Sequence, residues 1–201
     1  MAVKEYSYAK NGNDKLSPHF RVKEFRARRG GKLDGDRILV SDELIEMLEK
    51  LSRAVRYRAI IVTDGYRTEE FDIRLTGKAG QHTKGLAADV WVDGYTSYEV
   101  AALAELLGFD GIGVINARCV HLDVRGYKSY FVENSTQASD TYSVKTFLCP
   151  ETYWSLVKKL FVLNDNTVEY LKKWKWADLL FEKLTAGALA SVTAADPSAD
   201  P

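Results

Sequence analysis

Two short apolar runs, LAADVWV (residues 86–92) and CVHLDV (119–124), constrain this chain more than any other feature. Each has the length and β-branched content of a buried strand, yet each carries ionisable side chains inside it. Side chains two apart on a strand face the same way, so His121 and Asp123 project together while Val120, Leu122 and Val124 face the other side. Asp89 shares a face with Ala87 and Trp91 by the same rule. A buried carboxylate without a partner costs roughly several kcal/mol before its pKa adjusts. A fold that accepts these strands must therefore bring a cation, hydrogen-bond donors or a metal to one face of the sheet.

The surrounding pattern supplies helices to cover the other face. SDELIEMLEKLSRAVR reads as a helix with Ser41 at the N-cap and Leu44, Ile45, Leu48 and Leu51 on one side. AIIVTDGYR is a strand over 59–63 that turns at Asp64 and Gly65, and a brief helix starts at Thr68. In TSYEVAALAELLGF, Thr96 and Glu99 are spaced as a capping box and Gly108 is the stop. Strands 111–115 and 119–124 form a hairpin through Asn116, Ala117 and Arg118. The lead-in KLSPHFRVKEFRARRGG packs through Phe20 and Phe25.

Beyond Tyr142 two helices are expected, joined at 164–166: one led by Pro150 with Tyr153, Leu156, Val157 and Leu160 on a side, the next with a stripe of Val168, Leu171, Trp174, Ala177, Phe181 and Leu184. Trp154, Trp174 and Trp176 are read as core residues at helical spacing rather than sugar-stacking ones. The fold class is α+β: a small, mostly antiparallel sheet with flanking helices plus a C-terminal helical pair. The division is a main domain over 1–140, a helical extension over 141–186 and a disordered tail over 187–201, which is small, polar and proline-punctuated.

The charges balance at 28 basic and 28 acidic residues, so no overall field favours nucleic acid or anionic lipid. No apolar run approaches the roughly 18–20 residues of a membrane span, and no export signal is visible at the start. The expected place of synthesis is the cytoplasm. Two cysteines, Cys119 and Cys149, are too few for a thiolate zinc site and are expected to be reduced, mostly buried thiols. The oligomeric state is not legible.

Of three histidines, His82 and His121 accompany the strand carboxylates, while His19 reads as a loop residue beside Phe20. Two imidazoles and one carboxylate leave a fourth tetrahedral position for water, the arrangement of catalytic zinc. His82, Asp89 and His121 are therefore the candidate ligands, with Gly85 allowing the tight turn between the first two. The competing reading is a structural histidine bonded to an aspartate. A non-haem iron site built on His121-Leu122-Asp123 wants a second histidine downstream, and none follows His121.

GYRT (65–68), QHTKGLAAD (81–89), GFDGIGV (108–114) and CVHLDVRG (119–126) follow one another in that order after the LSPHF…EF lead-in. Together, over about Leu16 to Gly126, they resemble the zinc D-alanyl-D-alanine carboxypeptidase and L-alanyl-D-glutamate peptidase family, whose fold is shared with the Hedgehog signalling domain. The resemblance is to the branch that ends in His-x-Asp. It implies zinc held by His82, Asp89 and His121, and a peptidoglycan peptide as substrate. It also implies that Arg67 meets the substrate carboxylate or the developing oxyanion; the alternative is a surface arginine paired with Glu69 or Glu70.

Where some branches place a glutamate base, three residues before the last histidine, this chain has Arg118. Asp123 then stands either as the base or as a partner orienting His121. Trp91 either walls the cleft or packs in the core, and Gln81 either donates to substrate or faces water. Gly80 and Asp64 occupy positions where serine is common in the family. The leading expectation is a wall-peptide zinc peptidase in the manner of a phage lysin, and the second is a non-cleaving binding module of the same fold.

Overall fold

From the amino terminus the chain runs β1 (Val3–Ser7), α1 (Tyr8–Asn11), β2 (Arg28–Arg29), β3 (Lys32–Leu33), β4 (Arg37–Ser41), α2 (Asp42–Ala54), β5 (Ile60–Asp64) and α3 (Glu69–Thr76). It continues through β6 (Ala87–Val92), α4 (Ser97–Leu107), β7 (Gly111–Val114), β8 (Val120–Asp123), β9 (Ser129–Glu133), β10 (Thr141–Ser143), α5 (Pro150–Leu160) and α6 (Asp165–Lys172). The computed structural model describes residues 2–29, 32–33, 35–133 and 141–175, with Ala177, Leu179, Lys183 and Gly187 beyond them. Phe181, Leu184, Trp176 and, Gly187 aside, the tail expected to be disordered lie outside the described residues.

The main sheet has the order β10-β9-β7-β8-β6-β5, antiparallel throughout except for the β7–β9 pair. This is the α+β architecture expected from the sequence. The register places Asp89 opposite His121 and Ala87 opposite Asp123, so the ionisable side chains of β6 and β8 line one face. On the other face Ala88, Val90, Ile112, Val114, Val120 and Leu122 are buried in the core. There α4 lies across β6, β7 and β8, with α2 against α4. The sheet thus has an oily side and a charged side.

Local sequence accounts for most of these elements. The capping box of α4 forms: Thr96 Oγ1 accepts from Glu99 N, and Glu99 Oε2 accepts from Thr96 N. Gly108 ends that helix in the left-handed region at φ 96°. Thr68 caps α3, and Leu44, Ile45, Leu48 and Leu51 of α2 are buried. Ser41 stands at the N-cap of α2 but its hydroxyl makes no capping bond, because the residue also closes β4 opposite Val3 and its N–H goes to Gly85. The β1–β4 pair and the β9–β10 edge lack clean alternation of apolar and polar residues, and nothing in the sequence announced them.

Residues beyond 140 are built into the same core. β10 pairs with β9, and Phe147 and Leu156 belong to the cluster that contains Val100 and Leu103 of α4. α5 is held by the buried Glu99, which accepts bonds from Lys159 and from the Ser155 hydroxyl, while Glu105 accepts from the Thr146 hydroxyl and Phe147 N. α6 stops at Lys172, partway along the predicted stripe, of which Val168 and Ala177 are buried and Ala177 is again helical. Trp174, in the turn after α6, is half exposed rather than core. Cys149 is exposed and Cys119 half-buried, both as free thiols, so the expected burial does not hold for the pair. No helix among the described residues is long and apolar enough to cross a membrane.

Glu99 gives a pH test of the α4–α5 junction. Burial opposes its charge, but Lys159, Ser155 and the Thr96 N–H outweigh burial and hold its pKa below the ordinary 4.5. A depressed folded-state pKa stabilises above the unfolded value, and that stability is lost as the pH falls through the folded value. Glu99→Gln is expected to lower the unfolding free energy by about 2 kcal/mol at pH 7, measured in urea. The gap from the parent chain should shrink below about pH 4.5; a gap that does not change with pH would contradict this account.

Candidate metal centre

The 3₁₀ turn Gln81–Lys84 carries His82, and Gly85 ends it at φ 70°. Only glycine fits there: a Cβ would fall 2.6 Å from the Leu39 carbonyl carbon, besides being strained by the positive φ. The turn delivers His82 onto the charged face, where Asp89 and His121 already face each other across the β6–β8 ladder. All three side chains are buried, at 4%, 6% and 8% exposure. His82 Nε2 lies 3.1 Å from His121 Nδ1 and 3.2 Å from Asp89 Oδ1, and the third edge, His121 Nδ1 to Asp89 Oδ1, is 3.0 Å. The three residues predicted as ligands thus form one nearly equilateral triangle.

Hydrogen bonds behind the triangle determine which atoms face inward. His82 Nδ1 is 2.6 Å from the Gly65 carbonyl oxygen, which can only accept, so Nδ1 carries the proton and Nε2 presents a lone pair. His121 Nε2 is 2.8 Å from Asp123 Oδ2, so the lone pair of that ring is on Nδ1. Two nitrogen lone pairs and a carboxylate oxygen therefore converge with no donor between them. A cation resolves that repulsion, and the edges are close to the roughly 3.3 Å expected between ligand atoms of a tetrahedral ion with bonds near 2.0–2.1 Å.

Charge points the same way. Asp64, Asp72, Asp89 and Asp123 are buried or nearly so on this side of the sheet, against the guanidinium groups of Arg67 and Arg125. With neutral imidazoles the cluster is short by two positive charges, which one divalent ion supplies. In the metal-free chain His121 compensates in part by taking up a second proton. Burial opposes charge on His121, but its bonds to Asp123 and Asp89 outweigh burial and push its pKa up to about 9. Asp89 is buried too, yet His82 and His121 hold its carboxyl well below the usual range.

The structure bears on two expected roles. Arg67 is not a surface residue paired with Glu69 or Glu70; internal carboxylates engage its guanidinium. It is 7% exposed, and its Nε, Nη1 and Nη2 donate to Asp64 Oδ2 at 2.8 Å, Asp72 Oδ1 at 3.0 Å and Asp89 Oδ2 at 2.7 Å. Its fork holds the outer oxygen of Asp89, leaving the inner one for the ion. Asp64, at the position where serine is common, is a counter-charge to Arg67. Asp72 also accepts from Gly80 N at 2.7 Å, and a Cβ on Gly80 would crowd that carboxylate at 3.2 Å.

Asp123 is bonded to the outward nitrogen of His121, the contact that the orienting reading expects. It is fully buried, with Oδ2 on His121 and both oxygens bonded by Arg125. Burial raises its pKa, but Arg125 and His121 outweigh burial and bring it to about 2, which leaves a poor proton acceptor.

Neighbouring motifs serve the same construction. Tyr66 bridges Arg26, and a Cβ on Gly65 would collide with the Phe25 backbone, which explains why the EF lead-in and GYR come as a pair. A Cβ on Gly111 would fall on the Asp123 carboxylate, and one on Gly113 would fall on the ring of Phe131. That ring leans on His121 with centroids 5.7 Å apart. The alternating glycines of GIG therefore let β8 and β9 side chains fold across β7. One residue pair beyond His121 on this face stand Trp91, half-buried beneath the Arg118 guanidinium at 4.2 Å, and the half-buried Cys119. Gln81 begins the 3₁₀ turn, half-buried. His19 lies apart, bonded to Glu49 at 2.8 Å and stacked on Tyr57.

Sequence reasoning missed Asp72, Arg125, Phe131 and Glu133. Arg125 was signalled by its place two residues after Asp123; Asp72 and Glu133 carry no local signature.

The ligand assignment predicts graded losses, read by competition with a chromophoric chelator. Wild type takes up one equivalent of zinc, and His82→Ala takes up none. Asp123→Asn still takes one, with affinity lower by about 10–100-fold, as for other outer partners of metal-bound histidines. Gly111→Ala, whose methyl falls on the same carboxylate, shifts affinity in the same direction. An Asp123→Asn chain that binds as tightly as wild type would contradict the tautomer argument.

A scan against family models matches residues 18–123, slightly more than half of the chain, to Peptidase M15. No curated protein and no solved structure matches it in the corresponding searches. The matched segment runs from the lead-in to Asp123 and contains all three corners of the triangle. The chain belongs to the peptidase M15 family.

Proposed function

We propose that the protein is a zinc peptidase of bacterial cell-wall peptides, hydrolysing bonds that involve D-amino acids in peptidoglycan stems or cross-links, in the manner of a phage or prophage lysin. The observation that carries the reading is the convergence of three lone pairs, from two imidazoles and one carboxylate, on the charged face of a peptidase-family fold. Three protein ligands leave one position of a tetrahedral ion for water or substrate, whereas structural sites are closed by four. Zinc in this setting would polarise the scissile carbonyl and make water a better nucleophile near neutral pH.

The chain's own groups do the rest. Gly65 and Asp123 fix the two imidazole tautomers, and Arg67 holds the outer oxygen of Asp89, so none of the three ligands has to reorganise when substrate arrives. Trp91 and Arg118 form the wall beyond the ligand row and suit the backbone and terminal carboxylate of a short peptide. Gln81, next to His82 in the 3₁₀ turn, would hydrogen-bond that peptide. A binding module that keeps the metal but does not cleave is the competing reading, favoured by Arg118 standing where relatives place a glutamate.

Incubating zinc-loaded protein with purified peptidoglycan, and identifying new amino and carboxyl termini by mass spectrometry, separates the two. Cleavage is expected, abolished by chelation and restored by zinc. Intact wall peptides after treatment with fully loaded protein would leave the binding module standing.

A further inference from the structure

With Asp123 walled in and Arg118 in the position of a glutamate, the described cleft needs another proton acceptor if this chain cleaves peptides. β9 supplies a candidate. Its register with β7 is regular from Gly111↔Ser129 to Val114↔Val132, and with β10 from Thr141↔Glu133 to Ser143↔Phe131, so side chains alternate without a bulge. Tyr130 faces the core side, where it meets Phe147; Phe131 faces the metal side, where it leans on His121. Glu133, two residues on, shares the face of Phe131. It stands one step along β9 beyond the row that contains His121 and Asp89, level with Ile115, Cys119 and Trp91. That is the side of the triangle away from Asp123 and Arg125.

We propose that Glu133 is the general base of this site, a catalytic residue for the peptidase reaction argued above and resting on that reading. Its carboxylate takes a proton from the attacking water as oxygen bonds to the peptide carbonyl carbon. It then returns that proton to the amine nitrogen as the C–N bond breaks, leaving a carboxylic acid and an amine, which exchange the second water proton to become carboxylate and ammonium, with Glu133 as it began. The environment suits the task. Glu133 is half-buried and makes no ion pair among the described residues. Burial, then the Asp89 charge, push its carboxyl above the ordinary 4.5, opposed by His121 and Arg67, so it accepts a proton more readily than Asp123. The groups facing it are Asp89 and Trp91 from β6, His121 and Cys119 from β8, Arg67 from the segment before α3, and Thr141 across the β10 edge.

The test compares full-length wild type, Glu133→Gln and Glu133→Asp, each with measured zinc content, on the wall bond that wild type cleaves. Glu133→Gln is expected to keep one zinc and a KM within about threefold, to lose about 10²–10⁴-fold in kcat, and to lose the acid limb of the kcat pH profile; Glu133→Asp should recover part of the rate. Independently of turnover, the Glu133 carboxyl carbon, assigned by its absence in Glu133→Gln, should titrate at lower pH in zinc-loaded than in metal-free protein, because the ion's charge favours the carboxylate. A Glu133→Gln chain within threefold of wild type in kcat, or a carboxyl titration unmoved by zinc, would overturn this role alone. A wild type that cuts no wall peptide would overturn the peptidase reading and the role together.

Discussion

The whole charged face is arranged around one electrostatic demand: three atoms about 3 Å apart that, with both imidazoles neutral, are all electron-rich and have no proton donor among them. Such a cluster is unfavourable in a buried setting unless a cation occupies its centre, and the surroundings are built to keep it from relaxing. Gly65 and Asp123 each bind the outward nitrogen of an imidazole, and Arg67 binds the outward oxygen of the carboxylate. The formal charge deficit of two, counted with neutral imidazoles, is the charge that one divalent ion would supply. Asp64 and Asp72 belong to the same system, since they hold the arginine that holds Asp89.

Backbone geometry serves the same demand. β7 contributes no side chains to the metal face at Gly111 and Gly113, which leaves room for Asp123 to reach His121 and for Phe131 to cover it. Gly85 in the left-handed region brings the His82 turn against β4, and Gly65 passes under the Phe25 backbone. These glycines sit in the stretches through which the chain resembles its family, and each has an identifiable atom that a methyl group would strike. The C-terminal segment completes the opposite, apolar side through Phe147 and Leu156, so the sheet that carries the site is braced by residues on both flanks.

Much of this was legible in the sequence, and the physical reason differs by element. The ligand face of β6 and β8 follows from strand alternation, a local rule, and so Asp89, His121 and Asp123 were placed correctly from spacing alone. The α4 capping box and the Gly85 turn were readable because their residue types are tied to specific backbone conformations. The functions of Arg67 and Asp123 were not fixed by spacing, since whether an arginine meets substrate or three internal carboxylates depends on packing that no local pattern records. β1, β9 and β10 escaped for the same reason: short, half-exposed edge strands gain their stability from partners distant in sequence. Glu133, at the end of such an edge, was invisible until the register was known.

X-ray absorption at the zinc edge of the full-length, zinc-loaded protein addresses the centre most directly. The geometry predicts four nitrogen or oxygen neighbours at about 2.0–2.1 Å with outer-shell scattering from two imidazole rings. A sulfur neighbour at about 2.3 Å, which would bring in Cys119, or scattering from fewer than two rings, would contradict the three-ligand triangle on which the account rests.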